Sequence, residues 1–225
     1  MINDDLEMRA TSVSNAISTF LPIAHPEMLY KASRYVLDEP GKRIGSSMLL
    51  LAGEAVGGNP MNLIPASVCI EMIQGAVIIH DDILDNSKIR HGLPTVHTLW
   101  NESKAIVAGD ALFAHAFKVL NLVKAESGLK LAALNILAEA CTTINEGQWL
   151  DLNFMDQENV SEEEYLEMIG KKTGAFFSAS ASIGAVLSGG SAKEIEGLEQ
   201  FGRLTGIGFQ LHDDILDITE SEDRI

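Results

Sequence analysis

Basic residues are scarce in this chain. Sixteen Lys and Arg stand against 32 Asp and Glu, giving a formal charge of −16 and a sequence pI near 4.6. Binding a phosphate backbone needs clustered Lys and Arg, so nucleic acid is excluded as a partner. Cysteine is scarcer still: Cys69 and Cys141 sit alone inside apolar helical stretches. That rules out a disulfide framework and fits a reducing compartment. The N-terminal "MINDDLEMRATSVSN" has no basic region followed by an apolar core, so no signal peptide is read there. No uninterrupted apolar run reaches the roughly 20 residues of a membrane span. The expectation is a soluble, cytoplasmic protein without a transmembrane segment.

Proline is missing after Pro94, and strand-like alternation is nearly absent throughout. What fills the space is Ala, Leu and Glu at helical spacing, as in "GDALFAHAFKVLNLV" and "LKLAALNILAEACTTINEGQWL". Breaks fall at "DEPGKR" (38–43), "GGNP" (57–60), "RHGLP" (90–94), "ESG" (126–128), "DQENVSEEE" (156–164) and "LSGGSAKE" (187–194). In "NVSEEEY", Ser161 reads as an N-cap with Glu164 three residues later. With 225 residues and no linker or low-complexity tract, the reading is a single all-α domain over 1–225, a bundle of about eight or more helices. The chain stops eight residues after Asp217, in "ITESEDRI", so a missing C-terminal segment is expected.

One hexapeptide occurs twice: "HDDILD" at 80–85 and at 212–217. On a helix, Asp81, Asp82 and Asp85 stand at i, i+1 and i+4, with the first and last one turn apart on one face. Asp213, Asp214 and Asp217 repeat the pattern. The flanks, "GAVIIHDDILD" and "GIGFQLHDDILD", are apolar. Carboxylates crowded into apolar surroundings repel one another and are costly to desolvate, which bound cations resolve. All-oxygen donors select hard ions such as Mg²⁺, and Mg²⁺ favours a shell shared with substrate phosphates. A di-iron bundle would require Glu ligands and Glu-x-x-His pairs, which these clusters lack. His80 and His212 point about 100° away from the ligand face and are read as supporting or packing residues.

Other polar residues fit the same chemistry less specifically. "PGKR" puts Lys42 and Arg43 at a turn entering an apolar helix, where a phosphate could be clamped, although on these residues alone a surface turn is the better reading. Lys88, Arg90 and His91 follow the first acid cluster, "GQWLDL" sets Gln148 and Asp151 at i and i+3, and "GKKTG" supplies Lys172 and Thr173.

From "ASRYVLDEPGKR" to its end the sequence resembles the trans-isoprenyl diphosphate synthases, the polyprenyl synthetase family. "HDDILDNSKIRHGLPTVH" is similar to that family's first aspartate-rich motif and "GFQLHDDILD" to its second, with "AGDALFAHAF", "GQWLDL" and "KKTGA" between them in the expected order. The resemblance implies an all-α bundle around a deep central cavity, usually a homodimer, in which three Mg²⁺ grip the diphosphate of an allylic prenyl substrate. Ionisation leaves an allylic cation that isopentenyl diphosphate attacks, and a proton is then lost to the released diphosphate. By analogy Asp81, Asp85 and Asp213 are the metal ligands, supported by Asp82, Asp214 and Asp217. Arg90, Lys172, Thr173, Gln148, Asp151 and Gln210 line the allylic site. Stabilising the departing diphosphate with fixed cations is where such chemistry gains most.

The departures from the family cluster at the isopentenyl diphosphate site. "PGKRIGSS" has Gly45 and Ser46 where the family usually has Arg and Pro, Gln74 stands where a His is usual, and His91 replaces the second Arg of an Arg-Arg pair. Of that set Lys42, with Arg43, is kept, and His91 near pH 7 carries only part of a charge. Three alternatives to condensation with isopentenyl diphosphate therefore stand: a terpene-synthase-like lyase, a prenyltransferase with another acceptor, and a non-catalytic subunit of a heteromeric synthase. One turn before Asp81, Val77 and Ala76, then Ile73, are not aromatic, which predicts acceptance of chains of C15 or longer.

Overall fold

The computed structural model describes residues 2–219, without the side chains of residues 2, 3 and 217. In chain order the helices are α1 (Ile2–Phe20), α2 (Glu27–Asp38), α3 (Ile44–Ala55), α4 (Ile64–Leu84), α5 (Val96–Trp100), α6 (Glu102–Leu120), α7 (Ser127–Phe154), α8 (Glu162–Ile169), α9 (Ala175–Leu187) and α10 (Ala192–Thr219). A 3₁₀ turn, Pro60–Leu63, precedes α4, and a π-turn, Gly170–Gly174, joins α8 to α9. The strands among the described residues are a two-residue antiparallel pair, β1 (Ile89–Arg90) and β2 (Leu93–Pro94). The protein is all-α, as its sequence pattern predicts. Every break read from the sequence separates two of these elements.

The helices group into two compact units, residues 2–47 with 64–124 and residues 48–63 with 125–219. In the first, α4 packs on α2 and α6. Small residues set the approach: a Cβ on Gly75 would lie 2.8 Å from Leu37 and 3.3 Å from Leu112. A Cβ on Gly109 of α6 would lie 2.3 Å from Nε2 of His80. Ile70, Met72, Ile73, Ala76 and Ile79 of α4 and Ala105, Ala108, Leu112 and Ala116 of α6 are fully buried. The stretch Pro60–Leu84 is long and apolar enough to cross a membrane by length and composition, but two thirds of its most apolar window is buried inside the protein. It is a core helix. Glu71 and Gln74 interrupt its apolar run.

In the second unit α9 is the buried centre, flanked by α7 and α10. Gly202 and Gly206 bring α10 against it; a Cβ on Gly202 would lie 2.4 Å from the Phe177 carbonyl oxygen. Helix α8 begins where the sequence places its cap. Ser161 Oγ accepts from the Glu164 N–H at 3.3 Å, and the Glu164 carboxylate accepts from the Ser161 N–H at 2.9 Å. Two orphan donors are thus satisfied reciprocally.

Candidate active site

In the first unit the acidic cluster divides by burial. Asp82 is 1% exposed, Asp81 keeps 20% of its side-chain surface, and Asp85 is exposed. Arg90 sets this division. The β1–β2 hairpin turns through His91 and Gly92, both at positive φ (48° and 78°), the backbone of the turns that join paired strands most tightly. That turn aims Arg90 back at α4, where Nε donates to Oδ1 of Asp82 at 2.8 Å and Nη2 lies 3.9 Å from Oδ2 of Asp81. Burial raises the pKa of Asp82 above the usual carboxylate range, while the hydrogen bond and charge of Arg90 pull it back down. Asp82 thus anchors Arg90 inside the first unit. His80 packs on α6, its Nε2 3.2 Å from the Ile106 carbonyl oxygen. His212 is exposed.

The positions that the resemblance assigns to a second diphosphate behave unequally. Lys42 is exposed and Gln74 is half-buried. Arg43 is occupied within the protein: Nη1 donates to Oε2 of Glu71 at 2.9 Å and Nη2 to the carbonyls of Leu37 (2.5 Å) and Glu39 (2.9 Å). Its Nε donates to Ser14 at 3.2 Å. Its guanidinium ties α1, α2 and α4 together. His91 is 77% exposed, with Nδ1 3.8 Å from the carboxylate of Glu39. Of the chain-length positions, Ile73 and Ala76 are fully buried and Val77 is half-buried.

In the second unit the polar residues gather around the π-turn. An i→i+5 turn widens the helix locally, a feature found often at functional sites. Here it is gripped from both sides: a Cβ on Gly147 of α7 would lie 2.3 Å from the Lys172 nitrogen, and one on Gly206 of α10 would lie 2.9 Å from the Thr173 carbonyl oxygen. Lys172 Nζ donates to Asp151 Oδ2 at 2.7 Å. Thr173 Oγ1 donates to Gln210 Oε1 at 2.7 Å, and Gln210 Nε2 donates to Asp214 Oδ1 at 2.8 Å. The other oxygen of Asp214 accepts from the Tyr165 hydroxyl. Burial first, then the bond to Asp214 and its charge, push the Tyr165 phenol up to about 12. Both oxygens of Asp214 are thus engaged within the second unit. Asp213 is half-buried beside it, and the side chain of Asp217 lies outside the described residues. Both amide atoms of Gln148 are buried without a hydrogen-bond partner, an arrangement that is costly unless a ligand completes it.

The donors suit a hard cation. Asp81 and Asp85 offer carboxylate oxygens one turn apart, yet among the described residues no three His, Cys, Asp or Glu side chains converge to hold a metal alone. Sequence reasoning missed Glu71 and Tyr165. A lone acid in "VCIEMIQGAVII" was a legible signal that a buried counter-charge must exist. Tyr165 carried no such signal.

The chain is all-α with aspartate-rich ends on two of its helices, and solved structures share its fold. The chain superposes on the geranylgeranyl pyrophosphate synthetase of the archaeon Geoglobus acetivorans with a TM-score of 0.93 and 41% identity, covering 97% of this chain and 71% of that one. For the geranylgeranyl pyrophosphate synthetase of Pyrococcus horikoshii the values are 0.94 and 37%, covering 99% and 68%. A geranylgeranyl diphosphate synthase of Methanosarcina mazei is 47% identical over 220 residues, 98% of this chain and 68% of that protein. The polyprenyl synthetase family model matches residues 26–225. The chain belongs to the polyprenyl synthetase family. It spans about two thirds of the length of these relatives.

Proposed function

We propose that this protein is a trans-prenyltransferase that ionises an allylic prenyl diphosphate and joins it to isopentenyl diphosphate, giving a longer polyprenyl diphosphate. The observation that carries this reading is the division within the first acidic cluster. Asp82 is buried and clamped by Arg90, whereas Asp81 is only partly buried and Asp85, just past the end of α4, is exposed. Names of relatives support the substrate class, since they include geranylgeranyl and geranylfarnesyl diphosphate synthases.

Asp81 and Asp85 in the first unit, and Asp213 and Asp217 in the second, would each offer carboxylate oxygens to Mg²⁺, and the resemblance implies three ions. Bound Mg²⁺ supplies positive charge for the diphosphate as it departs. Arg90, fixed by Asp82, keeps a guanidinium beside Asp81 for the same oxygens. Lys172 is poised by Asp151 as a second cation. The carbonyl and hydroxyl groups of Gln210 and Thr173, and the orphaned amide of Gln148, orient the allylic end and stabilise developing positive charge. The proton lost after bond formation goes to the released diphosphate. With no aromatic at Ala76 or Val77, substrates of C15 or longer are accommodated. The chain works as one domain over 1–225 and assembles as a homodimer. Free Cys69 and Cys141 support a cytoplasmic setting.

A second reading has an observation of its own. Arg43 is held by Glu71 and two carbonyls, so the acceptor side rests on Lys42, Gln74 and His91. A weak second diphosphate site favours ionisation without isopentenyl diphosphate, as in a lyase, or another acceptor. The test is to incubate the protein with Mg²⁺ and C10 to C25 allylic diphosphates, with and without isopentenyl diphosphate, and to size the extracted products. Chain extension that requires isopentenyl diphosphate supports the synthase. Unextended alcohols or hydrocarbons support the lyase. Inertness that is relieved only by a partner synthase supports a regulatory subunit.

A further inference from the structure

The polar groups around the π-turn form a closed loop with a fixed direction. An ionised carboxylate only accepts hydrogen bonds. Asp214 therefore compels Gln210 to present its NH₂ at 2.8 Å, which turns the Gln210 carbonyl toward Thr173, where it accepts the hydroxyl proton at 2.7 Å. The second oxygen of Asp214 is held by the Tyr165 hydroxyl. Tyr165 lies on α8, whose start is locked by the Ser161–Glu164 box, and α8 runs straight into the π-turn that carries Thr173. Gly206 lets the α10 backbone approach within reach of Thr173 and Gly174. Covalent chain and hydrogen bonds thus complete one ring, Tyr165–Asp214–Gln210–Thr173.

We propose that Tyr165 is a positioning residue: by holding Asp214, it sets the orientation of the Gln210 amide and, through it, the Thr173 hydroxyl used on the allylic substrate. This rests on the prenyltransferase reading, because it assigns Gln210 and Thr173 to the allylic side. Tyr165 itself touches no substrate in this scheme. Removing its hydroxyl leaves Asp214 with one donor, free to rotate, and the amide free to turn over. The ring packing of residue 165 is retained in Tyr165→Phe, so that variant isolates the hydroxyl. Asp214→Asn removes the directing charge, since an Asn side chain donates as well as accepts.

Two measurements decide the matter. In the metal-free, substrate-free protein, the side-chain amide resonances of Gln210 are assigned by NMR in wild type, Tyr165→Phe, Asp214→Asn and the double variant. The amide shifts in both single variants, and the double variant matches Asp214→Asn alone. In steady-state assays, Tyr165→Phe lowers kcat/KM for the allylic diphosphate about tenfold, the scale of one hydrogen bond to a charged group, and leaves KM for isopentenyl diphosphate within about twofold. Additive losses in the double variant, an unmoved Gln210 amide, or equal damage to both substrates would overturn the proposal. If the wild-type protein transfers no prenyl group, the functional reading fails, and the amide measurement still decides whether Tyr165 sets Gln210.

Discussion

Arg43 and Glu71, 28 residues apart in sequence, form an ion pair at 2.9 Å in which the side chains keep only 8% and 3% of their surface. The pair lies where the apolar stretch 64–79 of α4 carries a single acid, Glu71. Breaking a buried pair leaves an uncompensated charge in low dielectric, which costs about 3–5 kcal/mol. Glu71→Ala is accordingly expected to lose stability on that scale, and Glu71→Gln less, because the amide still accepts from the guanidinium. Urea denaturation monitored by circular dichroism measures both. A change within about 0.5 kcal/mol, the range of ordinary surface substitutions, would mean that the pair is solvated in solution.

His115 gives a pH dependence with a defined sign. Burial, then the charge of Lys118, lowers its pKa below 6.5, and its ring packs edge-on against Tyr30. As pH falls below about 6.5, the unfolded chain takes up the proton before the folded one does. Stability from this group is full above that pH and declines as pH drops toward the lowered folded value. His115→Gln is expected to flatten that part of the profile. Urea midpoints at pH 7.5 and 5.5 for the two proteins check it, and equal slopes would remove His115 as the source.

Product length tests the depth of the allylic site. Ala76 is fully buried, so Ala76→Phe must displace core neighbours, with an overpacking cost of about 1–3 kcal/mol. Val77 is half-buried and admits a ring with less disturbance. Val77→Phe is expected to shorten the extracted products with stability nearly unchanged. If Val77→Phe folds normally and yields products of wild-type length, position 77 does not bound the chain.

Gly147 should tolerate no side chain. Its would-be Cβ falls 2.3 Å from the Lys172 nitrogen, a backbone atom that cannot swing aside. Gly147→Ala is expected to push α7 off the π-turn, disturbing the Lys172–Asp151 bond and lowering kcat at least tenfold, on the scale of an angstrom of misplacement in a reacting geometry. Wild-type kcat in a folded Gly147→Ala protein would show that the π-turn geometry does not matter to turnover.

The helices, their breaks and the Ser161–Glu164 cap were legible because each depends on neighbours within a turn or two. The repeated "HDDILD" was legible because crowded acids in apolar sequence have few explanations. The division of roles inside the first cluster was not. Asp81, Asp82 and Asp85 look alike in sequence, and only the hairpin that aims Arg90 sets the buried Asp82 apart from the other two. Arg43 looked like a free cation because its partner Glu71 is distant in sequence. "GKKTG" gives no local sign of a π-turn, since that geometry depends on Gly147 and Gly206 pressing from other helices. Tyr165 reaches Asp214 across 49 residues, a contact that no periodicity encodes.

The most direct test of the central claim is stoichiometric. Diphosphate release and incorporation of labelled isopentenyl diphosphate are counted in the same reaction, with a C15 or C20 allylic diphosphate and Mg²⁺. The account predicts one diphosphate released for each isopentenyl unit incorporated, with both falling together in Asp81→Asn. Release that continues without incorporation, at the same rate whether or not isopentenyl diphosphate is present, would contradict it.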